Sequence, residues 1–224
     1  MAFEGTAVLS YHDTLLRNSD IALLADGQWL NDNIISFWFE YLENELYRDV
    51  ASQITFLTPQ VAHLIKSATE HRSLAQDVEM ILESMNLSCK KLVLLPINNQ
   101  STSAMQIGGS HWSLLVFDLD KHCFNHFDSS SGSGNRHHAE QVANIVKPFT
   151  SLTQELKVSV LETPCSQQKN GYDCGVHVLL NAEAVCRRAF RGEELQVADI
   201  ASLGAVGTTR KRLLNLIEEL KSKA

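Results

Sequence analysis

The sequence predicts an α+β domain built on a central mixed, mostly antiparallel sheet flanked by helices. Three observations predict it. Apolar residues recur at helical spacing as far as residue 85, short unbroken apolar runs of the kind that form buried strands follow, and helical segments separate the later strands. No internal repeat, low-complexity tract or Pro-rich linker interrupts the chain. Residues 1–224 therefore read as one domain, with 44% hydrophobic content to supply its core.

In order, the first ~25 residues hold the short amphipathic pieces DTLLRN and DIALL, broken by polar residues and Gly27. In WLNDNIISFWFEYLENELY, Asn31 or Asp32 can cap a helix whose apolar stripe is Ile34, Ile35, Trp38, Phe39 and Leu42. Trp38 falls on that stripe and belongs to the core; Trp29 stands outside it, as a packing staple or as the rim of a cleft. Thr58 and Pro59 open a second helix through Val61, Leu64 and Ile65, and another spans about Leu74 to Met85. LVLLPIN from Leu92 reads as a buried strand, followed by a polar, glycine-rich loop over 98–110 of the length that tends to be functional.

HWSLLVFD and CFNHFD read as two strands joined by a two-residue turn at Leu119 and Asp120, with Asp118 and Asp120 as solvated turn residues. That turn makes His111 and Asp128 direct cross-strand neighbours, near enough for a carboxylate to hold an imidazole N–H. SSSGSGN is a loop, RHHAEQVANIVKPF a helix ending near Pro148, VSVLET a strand, and the tail from Thr208 an amphipathic helix.

The net charge of −7 and an isoelectric point near 5.7 disfavour nucleic acid or an anionic membrane as partners and suit a protein with a basic surface. Five scattered cysteines do not form a disulfide framework and fit a reducing compartment. Without a basic, apolar leader or an apolar run of transmembrane length, the chain is expected to be cytosolic or nuclear and monomeric.

The chemistry concentrates at QKNGYDCGV, residues 168–176. A polar, turn-prone segment ends at Asp173, a natural N-cap, and helical spacing begins at once. Cys174 then lies in the first turn, where free N–H groups and the helix dipole favour the thiolate, the form that attacks carbonyls. Gly175 leaves the backbone beside the sulfur open to a substrate. With His111 as base and Asp128 orienting it, the three residue types of thiol catalysis are present. Gln168 and the Cys174 N–H supply an oxyanion hole.

WLND at 29–32, HWSLL at 111–115, FDS at 127–129 and the Q-x-N-G-x-D-C-G block at 168–175 together resemble the ubiquitin-like-modifier proteases of the Ulp and sentrin-specific family. The resemblance implies a papain-like cysteine protease fold, with His111 as general base, Asp128 its orienter, Cys174 the nucleophile and Gln168 the oxyanion donor. It further implies cleavage after a Gly-Gly terminus threaded between Trp29 and Trp112, with Asp32 holding the modifier's tail, and no metal or organic cofactor. The compact length and the stretches LLRNSD, WLNDNIISFWFEYL and HWSLLVF are most similar to the branch acting on the neddylation modifier, the SUMO proteases being the alternative.

Other readings carry less. Cys174 with His177, or His122, Cys123 and His126, are wrongly spaced for a zinc finger or ribbon; His177 reads as a packed or partly exposed helix residue, His122 and His126 as surface strand positions, and Cys165 as an incidental surface or loop thiol. An inactive modifier-binding module would not need four competent catalytic positions, and an acyltransferase would need a cofactor pocket for which GGS at 108–110 is too short.

Overall fold

The structure, a computed structural model, describes residues 5–100, 109–152, 159–193 and 205–223. Among them a five-stranded sheet runs in chain order: β3 (Ile54–Phe56), β4 (Leu92–Asn98), β5 (Trp112–Asp118), β6 (Cys123–Phe127) and β7 (Val160–Glu162). The three central strands are antiparallel and the two outer ones join them in parallel, which is the mixed sheet expected. A separate hairpin, β1 (Ala7–Tyr11) with β2 (Thr14–Arg17), occupies part of what read as amphipathic fragments. A four-residue strand carries too little alternation to declare itself.

The α-helices among the described residues are α1 (Asn18–Ala22), α2 (Asp32–Tyr41), α3 (Pro59–Ser67), α4 (Ala75–Ser84), α5 (Asn135–Val146), α6 (Cys174–Arg191) and α7 (Ala205–Lys223). Their starts follow local chemistry. Asn31 Oδ1 accepts the N–H of Ile34 at 3.1 Å and Thr58 Oγ1 that of Val61 at 3.3 Å, so Asn31 rather than Asp32 is the cap of α2. The loop 98–110 falls largely on residues 101–108, outside those described.

Two cores lie on opposite faces of the sheet. Leu92, Leu94, Leu114 and Val116 pack against α2, α6 and α7, while Val93, Leu95, Ile97, Leu115 and Phe117 pack against α3, α4 and α5. Successive residues of a strand point to opposite faces, and both faces here are covered; that is why LVLLPIN shows no polar alternation. Trp38 is a core residue, 2% exposed, with Nε1 donating to Leu179 O at 3.3 Å.

The β5–β6 connection differs from expectation. Asp118 faces Cys123 and Leu114 faces Phe127, so four residues, 119–122, make the turn, and His122 takes a left-handed conformation (φ 50°) to close it. The register therefore moves by two from the direct pairing of His111 with Asp128. An even shift keeps every side chain on its face, so the two remain diagonal neighbours, within reach of their long side chains. Two other expectations fail for the same local reason, burial by the flanking elements. Asp118 is buried and paired with Lys121 at 3.1 Å, and His126 is fully buried, bonded to Glu162 and Ser113 at 2.8 Å each.

Candidate active site

Cys174 is the first residue of α6 and is buried. Asp173 occupies the cap position without capping: its carboxylate turns to Arg210 and to Asn170 Nδ2 (2.7 Å). The first-turn N–H groups are thus left for another acceptor. Gly175 serves packing, because a Cβ there would stand 2.9 Å from Leu30 Cβ. The glycine lets α6 press against the segment that carries Trp29.

His111 precedes β5 and is fixed by its backbone. Asn99 Oδ1 accepts its N–H at 3.0 Å and the Asn99 N–H donates to its carbonyl at 3.2 Å. Its Nε2 lies 2.7 Å from Asp128 Oδ1, which leaves Nδ1 as the edge of the ring available to Cys174. Burial alone would lower the imidazole's pKa, but hydrogen bonds to Asp128 and Cys174, with their charges, outweigh it and raise it to about 9. Asp128 is half-buried, which by itself would raise its carboxyl, yet hydrogen bonds from His111, Ser133 Oγ and the Ser130 N–H hold it below the usual carboxylate range. At neutral pH the site is a carboxylate–imidazolium pair facing the Cys174 sulfur, with the proton a departing amine needs already on His111.

Gln168 lies on the loop before α6, held by Ser129: its N–H donates to Ser129 O and its Oε1 accepts from Ser129 Oγ, both at 2.8 Å. One Nε2 hydrogen goes to Asn170 O at 2.7 Å, and the other meets no acceptor among the described residues. Cys165 sits beneath this loop, buried, its Sγ donating to Asp128 O at 3.2 Å; burial pushes its thiol up to about 11. It is a structural thiol rather than a surface one.

A cleft of about 360 Å³ opens beside Cys174, walled by Trp29 and Trp112, with Asp32, Gln60 and His63 along it. Trp29 is 48% exposed, whereas Trp112 is half-buried and donates from Nε1 to Leu30 O at 3.2 Å. Asp32 accepts from Gln60 Nε2 at 2.9 Å. Asp20 positions this wall, accepting from Asn31 Nδ2 at 2.7 Å and Asn33 Nδ2 at 3.1 Å. The structure thus gathers Trp29, Asp32, Trp112 and Cys174 around one cleft and joins His111 and Asp128 to the sulfur; Gln168 lies outside that lining.

Four supporting residues escaped sequence reasoning: Asn99, Ser133, Asn170 and Arg210. Asn170 offered a signal, as an Asx turn within NGYD, accepting the N–H groups of Tyr172 and Asp173. Arg210 offered none, being one cation among several in TTRKR.

Comparison with known proteins agrees with this geometry. The profile of the Ulp1 protease family, C-terminal catalytic domain, matches residues 28–202. The chain is 39% identical to human sentrin-specific protease 8 over 96% of its own length and 98% of that protein's. It is 34% identical to NEDD8-specific protease 1 of Arabidopsis thaliana, over 97% of this chain and 95% of that one. Among solved structures, the C-terminal Ulp1 protease domain in complex with Smt3, the yeast ortholog of SUMO, superposes with a TM-score of 0.69 at 22% identity, over 98% of this chain and 90% of that one.

Proposed function

The chain belongs to the Ulp1 protease family of cysteine peptidases, and from that premise we propose that it cleaves after the C-terminal Gly-Gly of the neddylation modifier, both maturing the precursor and releasing the modifier from lysine side chains. The observation that carries the reading is the meeting of Cys174, His111 and Asp128, with Cys174 lining a cleft walled by two tryptophans.

In this mechanism the proton of Cys174 already rests on His111, and the sulfur, as thiolate, attacks the carbonyl carbon of the last glycine. Negative charge moves to the carbonyl oxygen, where the Cys174 backbone N–H and the free Nε2 hydrogen of Gln168 stabilise it. Collapse breaks the C–N bond as His111 protonates the departing amine, leaving a thioester; water, deprotonated by His111, hydrolyses it and expels the sulfur, restoring the starting pair. Asp128 keeps Nε2 occupied, so that Nδ1 does the proton transfers. The glycine tail, free of side chains, passes between Trp29 and Trp112, and Asp32 holds the modifier's tail upstream. Identity with sentrin-specific protease 8 and NEDD8-specific protease 1 over nearly the whole chain supports the choice of modifier. Five unpaired cysteines support a reducing compartment, the cytosol or nucleus, for a monomeric enzyme.

The test is hydrolysis of C-terminal fluorogenic conjugates of the neddylation modifier, SUMO and ubiquitin by the same preparation. The neddylation modifier is expected to give the highest kcat/KM. A higher value for SUMO overturns the assignment of modifier, and turnover of none of them by a folded protein that binds the neddylation modifier leaves a binding module instead.

A further inference from the structure

One cation reaches from α7 to both sides of the site. Arg210 is 5% exposed. Its Nη1 donates to Leu23 O at 2.8 Å and Ala25 O at 3.1 Å, its Nη2 to Gln28 O at 2.6 Å, and its Nε and Nη2 meet Asp173 Oδ1 at 3.3 and 2.8 Å. Gln28 immediately precedes Trp29, and Asp173 immediately precedes Cys174.

We propose that Arg210 is a positioning residue with two separable effects: its donors fix the 23–28 segment that presents Trp29 to the cleft, and its charge cancels that of Asp173 beside the nucleophile. Each half has its own physical reason. Among the described residues the 23–28 backbone pairs with no strand, and three of its carbonyls take their hydrogen bonds from the guanidinium, which fixes the segment's path. Asp173 is 5% exposed and adjoins Cys174 in the chain at the start of α6; without Arg210 its carboxylate would oppose an anion at Cys174 and work against the positive end of α6. A planar guanidinium supplies these directions at once, whereas a lysine ammonium supplies charge at one point.

The inference rests on the cysteine-protease reading but not on which modifier is cleaved. The experiment compares Arg210→Met, Arg210→Lys and Arg210→Met/Asp173→Asn with the parent by two readouts: iodoacetamide alkylation of Cys174 at neutral pH, followed by peptide mass, and KM and kcat on the modifier conjugate. Arg210→Met should slow alkylation on the order of ten-fold, as an uncompensated like charge nearby does, and raise KM. Arg210→Lys should keep near-parent alkylation with raised KM, and the double variant should recover alkylation while KM stays high. Alkylation needs no modifier, so a wrong choice of modifier leaves that half readable. The proposal is overturned if Arg210→Met lowers only thermal stability, or if removing the Asp173 charge restores nothing. Should Arg210→Met fail to fold, Arg210→Lys decides: raised KM with parent-like alkylation supports the two roles, and both readouts unchanged, or both impaired alike, refute them.

Discussion

Replacing Asp128 with asparagine removes the charge that holds His111 protonated while keeping the side chain's size. The His111 imidazole stands at about 9 because Asp128 and Cys174 together overcome its burial. Without the carboxylate only Cys174 is left to oppose burial, and the imidazole should fall to about its ordinary 6.5. At pH 8 the imidazolium fraction then drops from about 90% to about 3%, a loss of roughly 30-fold before any error in ring orientation is counted. Adding the misplaced ring, kcat/KM should fall on the order of 10²–10³-fold. The assay is the pH profile of kcat/KM for parent and variant, with Cys174 alkylation as a substrate-free control. In the parent the alkaline limb should lie near pH 9; in Asp128→Asn it should move below neutrality. Stability follows the same sign: a raised folded-state value contributes stabilisation present in full below pH 6.5 and lost as pH rises through 9, and the variant should lose that stabilisation. An alkaline limb that stays near pH 9 in Asp128→Asn would refute the pairing of the two groups.

Two further substitutions probe the scaffold. Trp38→Ala empties a site in the core shared by α2 and α6 and should cost about 3–5 kcal/mol, read from denaturant unfolding; a cost under about 1 kcal/mol would contradict the packing described. Gly175→Ala sets a methyl 2.9 Å from Leu30 Cβ, so either α6 or the Trp29–Leu30 segment must shift, at a cost of about 1–3 kcal/mol. Its KM should rise, because Leu30 O also anchors Trp112; unchanged KM and unfolding midpoint together would show that the space is not tight.

Where one short-range rule decided the structure, the sequence disclosed it. Asn31 and Thr58 cap helices because their side chains meet N–H groups three residues on, and the start of α6 at Cys174 follows from the same polar-to-apolar transition. The meeting of His111 and Asp128 was also legible, although the turn was misjudged: the error was two residues, and pleated strands forgive even errors. What remained hidden depended on distant partners. Asp173 has the chemistry of a cap, but an arginine 37 residues later competes for its carboxylate and wins. His126 and Cys165 look like surface residues in their own segments, but His126 is covered by the neighbouring strand β7 and Cys165 is buried in the core with its Sγ on Asp128 O. Gly175 is small because of Leu30, which no local pattern reveals.

The central claim is that one of five cysteines is made nucleophilic by the imidazole at 111 and presented to a glycine terminus. The most direct measurement is to incubate the protein with the neddylation modifier carrying a C-terminal electrophile and locate the adduct by peptide mass. A single modifier joined to Cys174, formed slowly or not at all in His111→Ala and absent in Cys174→Ala, is the result predicted. An adduct on Cys89, Cys123, Cys165 or Cys186, or one that survives Cys174→Ala, would contradict it.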